Sequence, residues 1–210
     1  MKISIIGLGY VGCVSLGCLS KIGFSLIGVD NQMDKVTTIK DGNATVIEPQ
    51  LDALINNGVK NKLITVTSDL DKAVIETEIS VICVGTPLGS DGNLDLSAIF
   101  SVAKSIGQSL SLKDSRHTVL VRSTVPPGTC DKIENLIAKN SNKIIGKDFD
   151  VVSNPEFLRE GSAVNDFLNP PMHVIGSSND IAADIVASLY EEIKAPIEFT
   201  ERRVAEIIKY

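Results

Sequence analysis

The 210 residues carry 20 Lys and Arg against 26 Asp and Glu, a formal net charge of −6, with 43% apolar and 22% charged residues and no Trp. A chain of this length suits one large domain, or a domain with an appendage, and can bury a substantial core. The acidic balance argues against nucleic acid or an anionic membrane as the main partner.

The apolar start reaches glycine too early for a signal peptide, and no long uninterrupted apolar run follows, so a cytoplasmic protein is expected. Ile3–Ile6 reads as a strand and Tyr10–Ile22 as the helix behind it. Ser25–Val29 is a second strand, ending at Asp30. Between them stand Gly7, Gly9 and Gly12, the spacing of a dinucleotide fingerprint in its full strand–helix–strand setting. Gly7 permits the tight turn, and Gly9 lets the backbone approach a pyrophosphate. Gly12 lets the helix lie close on the strand, and the helix N-terminus offers free N–H groups to the phosphates. The Asp30 carboxylate can accept hydrogen bonds from ribose hydroxyls and would repel a 2′-phosphate, which favours NAD over NADP.

Further along, Met33–Lys40 reads as a short helix ending near Asp41-Gly42, and Leu51–Asn56 as a helix started by Glu48-Pro49. Leu63–Val66 is a strand with the helix Asp69–Ile75 behind it, and Ile79–Val84 is a fully apolar strand. After Gly85-Thr86-Pro87 comes a polar turn at Ser90-Asp91-Gly92-Asn93, then helical spacing over Leu96–Leu110 and the strand His117–Val121. Gly128–Ala138 is a helix, and Phe149–Val152 a strand entering Asn154-Pro155-Glu156. Asn169-Pro170-Pro171 breaks the chain before the strand His173–Ile175. Ile181–Ile193 is helical, Pro196–Phe199 a short strand, and Val204–Tyr210 opens a last helix. Continuous apolar strands separated by helices point to an α/β fold, a doubly wound parallel sheet of Rossmann type.

In such a sheet ligands bind beyond the carboxyl ends of the strands. Gly7–Gly12, Asp30, Gly85–Pro87, Arg122–Thr124 and Asn154–Glu156 are therefore expected along one rim. The Thr86 and Thr124 hydroxyls can serve ribose, phosphate or nicotinamide, or can cap the helices that follow. Lys35, five residues past Asp30, can reach the adenosine side or remain a solvated charge. Cys13, Cys18, Cys83 and Cys130 form no CxxC pair, and with two histidines in the chain no metal site is expected. They read as small buried apolar side chains.

Four stretches occur in the order seen in the UDP-glucose/GDP-mannose dehydrogenase family. They are Gly7-Leu-Gly-Tyr-Val-Gly12, Val84-Gly-Thr-Pro87, Arg122-Ser-Thr-Val-Pro-Pro-Gly-Thr129 and Asn154-Pro-Glu-Phe-Leu-Arg-Glu-Gly161. The chain resembles that family over essentially its whole length. Arg116-His-Thr-Val, Val121-Arg-Ser-Thr124 and Asn169-Pro-Pro-Met-His-Val-Ile-Gly176 are most similar to its GDP-mannose-oxidising branch.

The resemblance implies an NAD-dependent four-electron oxidation of a nucleotide sugar at C6, consuming two NAD, with GDP-mannose the favoured substrate. UDP-glucose and UDP-N-acetylmannosamine are the alternatives within the family, and a stand-alone NAD-binding module without catalysis is the alternative outside it. By the same resemblance Gly7, Gly9, Tyr10, Val11, Gly12, Asp30, Lys35, Thr86 and Thr124 match the NAD site. Phe157, Leu158, Glu160 and Lys209 match substrate contacts, and Thr124, Glu156, Glu160 and Lys209 the groups around the reacting carbon. An ammonium such as Lys209 suits developing negative charge, and a carboxylate suits proton transfer or activation of water.

Bland alternatives stand beside these roles. Glu156 and Glu160 can form an i,i+4 pair with Arg159 as counter-ion. Lys209 points away from the Val204, Ile207 and Ile208 stripe, as a solvated lysine would. The family's cysteine nucleophile lies in a second domain, and none of the four cysteines here matches it. Residues 1–199 are thus expected to form the NAD-binding domain and 200–210 the start of a long central dimerisation helix. The whole protein is expected to be a homodimer or a higher homo-oligomer.

Overall fold

In the computed structural model, which describes residues 1–89 and 92–209, the chain alternates strand and helix nearly throughout. Ser90 and Asp91 of the expected polar turn, and the terminal Tyr210, lie outside the described residues. The first half contains β1 (Lys2–Ile6), α1 (Tyr10–Ile22), β2 (Ser25–Val29), α2 (Met33–Lys40), α3 (Leu51–Lys60), β3 (Ile64–Thr67), α4 (Leu70–Ile75) and β4 (Ile79–Ile82). The second contains α5 (Ser97–Leu110), β5 (His117–Val121), α6 (Thr129–Ser141), β6 (Phe149–Ser153), α7 (Ala163–Leu168), β7 (His173–Gly176), α8 (Asp180–Ala187), β8 (Ile197–Thr200) and α9 (Arg202–Ile207). A 3-10 turn at Ser188–Tyr190 ends the helical run that the spacing carried on to Ile193. The six-residue α7 has no counterpart in the sequence-based expectation.

Among the described residues the strands form one eight-stranded sheet in the order β3-β2-β1-β4-β5-β6-β7-β8. β1 to β6 are parallel, as expected for strands buried on both faces. The doubly wound sheet is as expected, with one departure from parallel pairing at its far edge. β7 meets β6 antiparallel through the single pair Ser153↔Gly176, and β8 lies parallel to β7. Apolar content reports burial and carries no information about strand direction, so this reversal was invisible in the sequence.

Two apolar layers cover the sheet. One is built from α1, α3, α7 and α8 against Ile3, Ile5, Leu26, Val81 and Leu120. The other is built from α4, α5 and α6 against Ile6, Ile27, Ile82, Val119 and Val151. All four cysteines are reduced and buried in these layers, in agreement with the sequence reading. Burial pushes the Cys18 and Cys83 thiols up to about 12, far from thiolate reactivity.

The sheet also buries a polar chain near the amino ends of its central strands. Lys113 Nζ donates to the Val74 and Thr77 carbonyls and lies 2.9 Å from His117 Nδ1. His117 Nδ1 also lies 3.1 Å from the Thr77 carbonyl, and Nε2 lies 2.8 Å from Ser80 Oγ. Ser80 Oγ in turn lies 2.7 Å from Ser4 Oγ. Burial, reinforced by the Lys113 charge, drives the imidazole pKa down to about 3, so His117 is held neutral.

Candidate functional site

Strand order reverses between β1 and β4, and a cavity of about 550 Å³ opens at that point. It is lined by Gly7, Gly9, Asp30, Lys35, Val84 and Gly85 among others. Gly7 has φ +95°, and a Cβ there would lie 2.9 Å from the Cys83 carbonyl oxygen. Gly12 is tighter still: its Cβ would fall 1.8 Å from the Gly7 oxygen, which is the close helix–strand approach read from the sequence. A Cβ on Gly9 meets nothing within 4 Å, so this position faces open space at the start of α1.

Asp30 is 8% exposed, and its carboxylate is already engaged. It accepts from Leu8 N at 2.8 Å and Gln32 N at 2.9 Å, with Lys35 Nζ at 3.4 Å. The acid that was expected to meet a ribose thus also fixes the glycine turn. Tyr10 and Val11 are half-buried in the first turn of α1. Glycine turn, carboxylate and free helix N-terminus together form a cradle of the shape and polarity a dinucleotide needs.

The other strand ends are knit side by side along the same rim. Thr86 Oγ1 donates to the Thr124 carbonyl at 2.8 Å, and Ser123 Oγ to Val84 O at 2.7 Å. Arg122 Nη1 donates to Asn154 Oδ1 at 2.7 Å, and Asn154 N to Val121 O at 2.9 Å. Thr86 therefore ties two loops together and caps no helix. Neither α5 nor α6 has a side-chain cap from its own N-cap residue.

At the end of this rim Lys209 Nζ lies 2.6 Å from Glu156 Oε1, donates also to the Glu156 carbonyl, and sits 5.7 Å from the Phe157 ring centre. The solvated-lysine alternative is overturned. The Val204, Ile207 and Ile208 stripe it was set against is itself exposed, at 46%, 55% and 45%. The buried face of α9 carries Ala205 and Glu206, at 0% and 2%. Arg159 is not the counter-ion of an acidic pair either. It makes a bidentate contact with Asp166, at 2.7 and 3.1 Å, which holds that carboxyl down at about 2. Glu160 stays exposed, apart from Glu156, while Phe157 and Leu158 are half-buried between them.

Two carboxylates that sequence reasoning did not single out hold this arrangement. Glu206 accepts from Gly128 N at 2.5 Å and Cys130 N at 2.6 Å, capping α6 from α9. Arg202 adds ion pairs to Asp131 at 2.8 Å and Glu134 at 2.5 Å. These contacts set α9 against α6 and place Lys209 on Glu156. Glu48 is the second: it accepts from Tyr10 OH at 2.5 Å, Gly161 N at 2.9 Å and Ala163 N at 2.8 Å. Burial by itself would raise its pKa, but these donors outweigh burial and leave it below the ordinary carboxylate value. A weak signal was available for α6. Its N-cap is Gly128, which has no side chain, so a cap had to come from elsewhere.

The sequence profile described as UDP-glucose/GDP-mannose dehydrogenase family, NAD binding domain, matches residues 1–194. The chain belongs to the UDP-glucose/GDP-mannose dehydrogenase family. It is 46% identical to the GDP-mannose 6-dehydrogenase of Pseudomonas aeruginosa, over 100% of this chain and 48% of that protein. It is 39% identical to the UDP-glucose 6-dehydrogenase of Bacillus subtilis, over 100% of this chain and 44% of the relative.

Among solved structures, a ternary complex of the Pseudomonas aeruginosa GDP-mannose dehydrogenase superposes with a TM-score of 0.98 at 46% identity, covering all of this chain and 48% of that one. A UDP-glucose dehydrogenase from Pyrobaculum islandicum gives 0.95 at 34%, with the same coverage. The chain thus spans about half the length of the relatives it matches, and corresponds to the family's NAD-binding domain with NAD as its cofactor. Among the described residues no helix is long and apolar enough to cross a membrane, and no cluster of three metal-ligating side chains occurs.

Proposed function

We propose that this chain supplies the cofactor half of a nucleotide-sugar 6-dehydrogenase acting on GDP-mannose. The observation that carries the reading is the meeting of Lys209 and Glu156 at the rim that holds the dinucleotide cradle. A half-buried ammonium–carboxylate pair at the edge of a cofactor site fits oxidation of an alcohol. GDP-mannose is favoured because identity to the GDP-mannose relatives, 46%, exceeds the 39% and 38% found with UDP-glucose relatives.

In this reading Gly7, Gly9, Tyr10, Val11 and Gly12 hold the pyrophosphate, and Asp30 with Lys35 the adenosine ribose. Thr86 and Thr124 face the nicotinamide side. NAD supplies the hydride acceptor. Lys209 stabilises negative charge developing on the substrate oxygen. Glu156 takes up the proton directly or through water, and Glu160 serves the final hydrolysis. Phe157 and Leu158 contact the sugar nucleotide. The covalent step belongs to a cysteine outside this chain, since the four here are buried and held as thiols.

Residues 1–199 are then the cofactor domain, and the segment after them, which carries α9 (Arg202–Ile207), opens the central dimerisation helix. The exposed Val204, Ile207 and Ile208 stripe is the surface a homodimer or higher homo-oligomer would cover. Calorimetry on residues 1–210 tests the first half of the reading, and NAD should bind more tightly than NADP. Full-length protein should form two NADH per GDP-mannose, with kcat/KM at least about tenfold above that for UDP-glucose or UDP-N-acetylmannosamine, a preference of ~1.4 kcal/mol. A reversed preference overturns the substrate assignment, and no turnover with any nucleotide sugar leaves only a binding module.

A further inference from the structure

We propose that Glu48 is a positioning residue through which the cofactor turn and the substrate loop set each other's geometry. The inference rests, for its substrate arm, on the function proposed above. Glu48 lies in the segment between α2 and α3 and is 6% exposed. Its carboxylate gathers three donors from parts of the chain far apart in sequence. Oε2 takes Tyr10 OH at 2.5 Å and Gly161 N at 2.9 Å, and Oε1 takes Ala163 N at 2.8 Å. Tyr10 is the first residue of α1, directly after the open Gly9 position. Gly161 closes the Asn154–Gly161 loop with a left-handed φ of +85°, and Ala163 begins α7.

The donor set separates this carboxylate from an ordinary ion pair. Among the described residues no Lys, Arg or His lies within salt-bridge distance of it, and all three donors are neutral. A cap for α7 needs the two amides only. The phenol is extra, and it comes from the helix whose N-terminus faces the cavity. Tyr10 OH also reaches the Arg159 carbonyl at 3.4 Å, so the ring touches the loop at a second point. The contacts of 2.5 to 2.9 Å around a buried carboxylate leave little slack. A shift of the first turn of α1 towards a phosphate is therefore passed to Gly161 and Ala163. The coupling is reciprocal: a loop locked by sugar nucleotide steadies the cofactor turn by the same factor.

Amide exchange on residues 1–210, followed by NMR, decides the point. Saturating NAD should slow exchange at Gly161 and Ala163 by about tenfold in the parent chain. Tyr10→Phe keeps both amide bonds and cuts only the link, so at saturating NAD the effect should fall below about twofold. Protection by NAD that persists in Tyr10→Phe, or its absence in the parent, overturns the proposal. In full-length protein Glu48→Gln should raise KM for the sugar nucleotide at least about fivefold with kcat changed less than about threefold. An equal fall in kcat and kcat/KM at unchanged KM contradicts it. If the parent full-length protein oxidises no nucleotide sugar, the proposed function fails while the exchange result still decides the role of Glu48.

Discussion

Replacing Gly12 by Ala is the sharpest test of how the glycine turn is built. The added Cβ would sit 1.8 Å from the Gly7 carbonyl oxygen, whereas ordinary contacts begin near 3.4 Å. The missing 1.6 Å must come from main chain on both sides, because Gly7 is itself confined by the Cys83 carbonyl. Overpacking of a rigid site costs about 1–3 kcal/mol, and a backbone–backbone clash belongs at or above the top of that range. Alanine regains about 1 kcal/mol as a better helix former. The net loss is then about 2 kcal/mol or more, a fall in Tm of roughly 4–8 °C for a chain of this size.

NAD affinity should drop at least about tenfold as well, since the amides of the first turn of α1 move. The control is Gly9→Val, at a position with φ −77°, ψ −159° and open space. It should melt within about 2 °C of the parent yet lose at least about tenfold in NAD affinity. Thermal melts followed by circular dichroism, with calorimetric titration of NAD, separate the two effects. A Gly12→Ala protein that melts like the parent would falsify the close-approach argument.

Three further outcomes are expected. Asp30→Ala leaves Leu8 N and Gln32 N without their acceptor, so it should cost about 1–3 kcal/mol in urea melts while narrowing the NAD over NADP preference. An unchanged preference would remove Asp30 from cofactor selection. Glu206→Ala strands Gly128 N and Cys130 N and should cost about 2–3 kcal/mol, with Glu206→Gln losing roughly half of that. Equal stability of both variants with the parent would refute the cap. His117 is neutral in the fold, with its pKa lowered from 6.5 to about 3, so the unfolded chain binds the extra proton between those values. Its contribution to stability is complete above pH 6.5 and is lost as pH falls, by roughly 2–3 kcal/mol at pH 4.5. Urea melts at pH 7 and 4.5 should show a shallower loss for His117→Gln than for the parent, and identical losses would count against a neutral buried imidazole.

The strands and α1 could be placed from sequence because burial on both faces demands continuous apolar runs, and Gly7, Gly9 and Gly12 admit few other settings. The rim followed from topology, since parallel strands deliver their carboxyl ends to one edge. What escaped was whatever depends on a partner distant in the chain. Glu48 and Glu206 look like surface charges until the amides of residues 161, 163, 128 and 130 arrive to solvate them. Periodicity misled at α9, because an apolar stripe marks the face that needs covering and says nothing of what covers it. There the domain-facing side is held by Glu206 and Arg202, through hydrogen bonds and charge.

The single-pair contact between β6 and β7 divides the sheet into units of unequal tenacity. Backbone pairing contributes almost nothing across it, and side chains do the stitching. Asn154 Nδ2 donates to Val174 O at 2.8 Å, Arg122 Nη1 to Tyr190 OH at 2.9 Å, and the His173 ring stacks on Tyr190 at 3.8 Å. Such a seam is where a native protein opens below its global unfolding free energy. The amides of β7 and β8 should therefore exchange as one group, ahead of those in β1, β4 and β5. Asn154, the first residue of the Asn154–Gly161 loop, is also the principal stitch, so each opening of the edge releases that loop at its root. Ligand held by the loop would close the seam by mass action, and protection of β7 and β8 becomes a remote reporter of substrate occupancy.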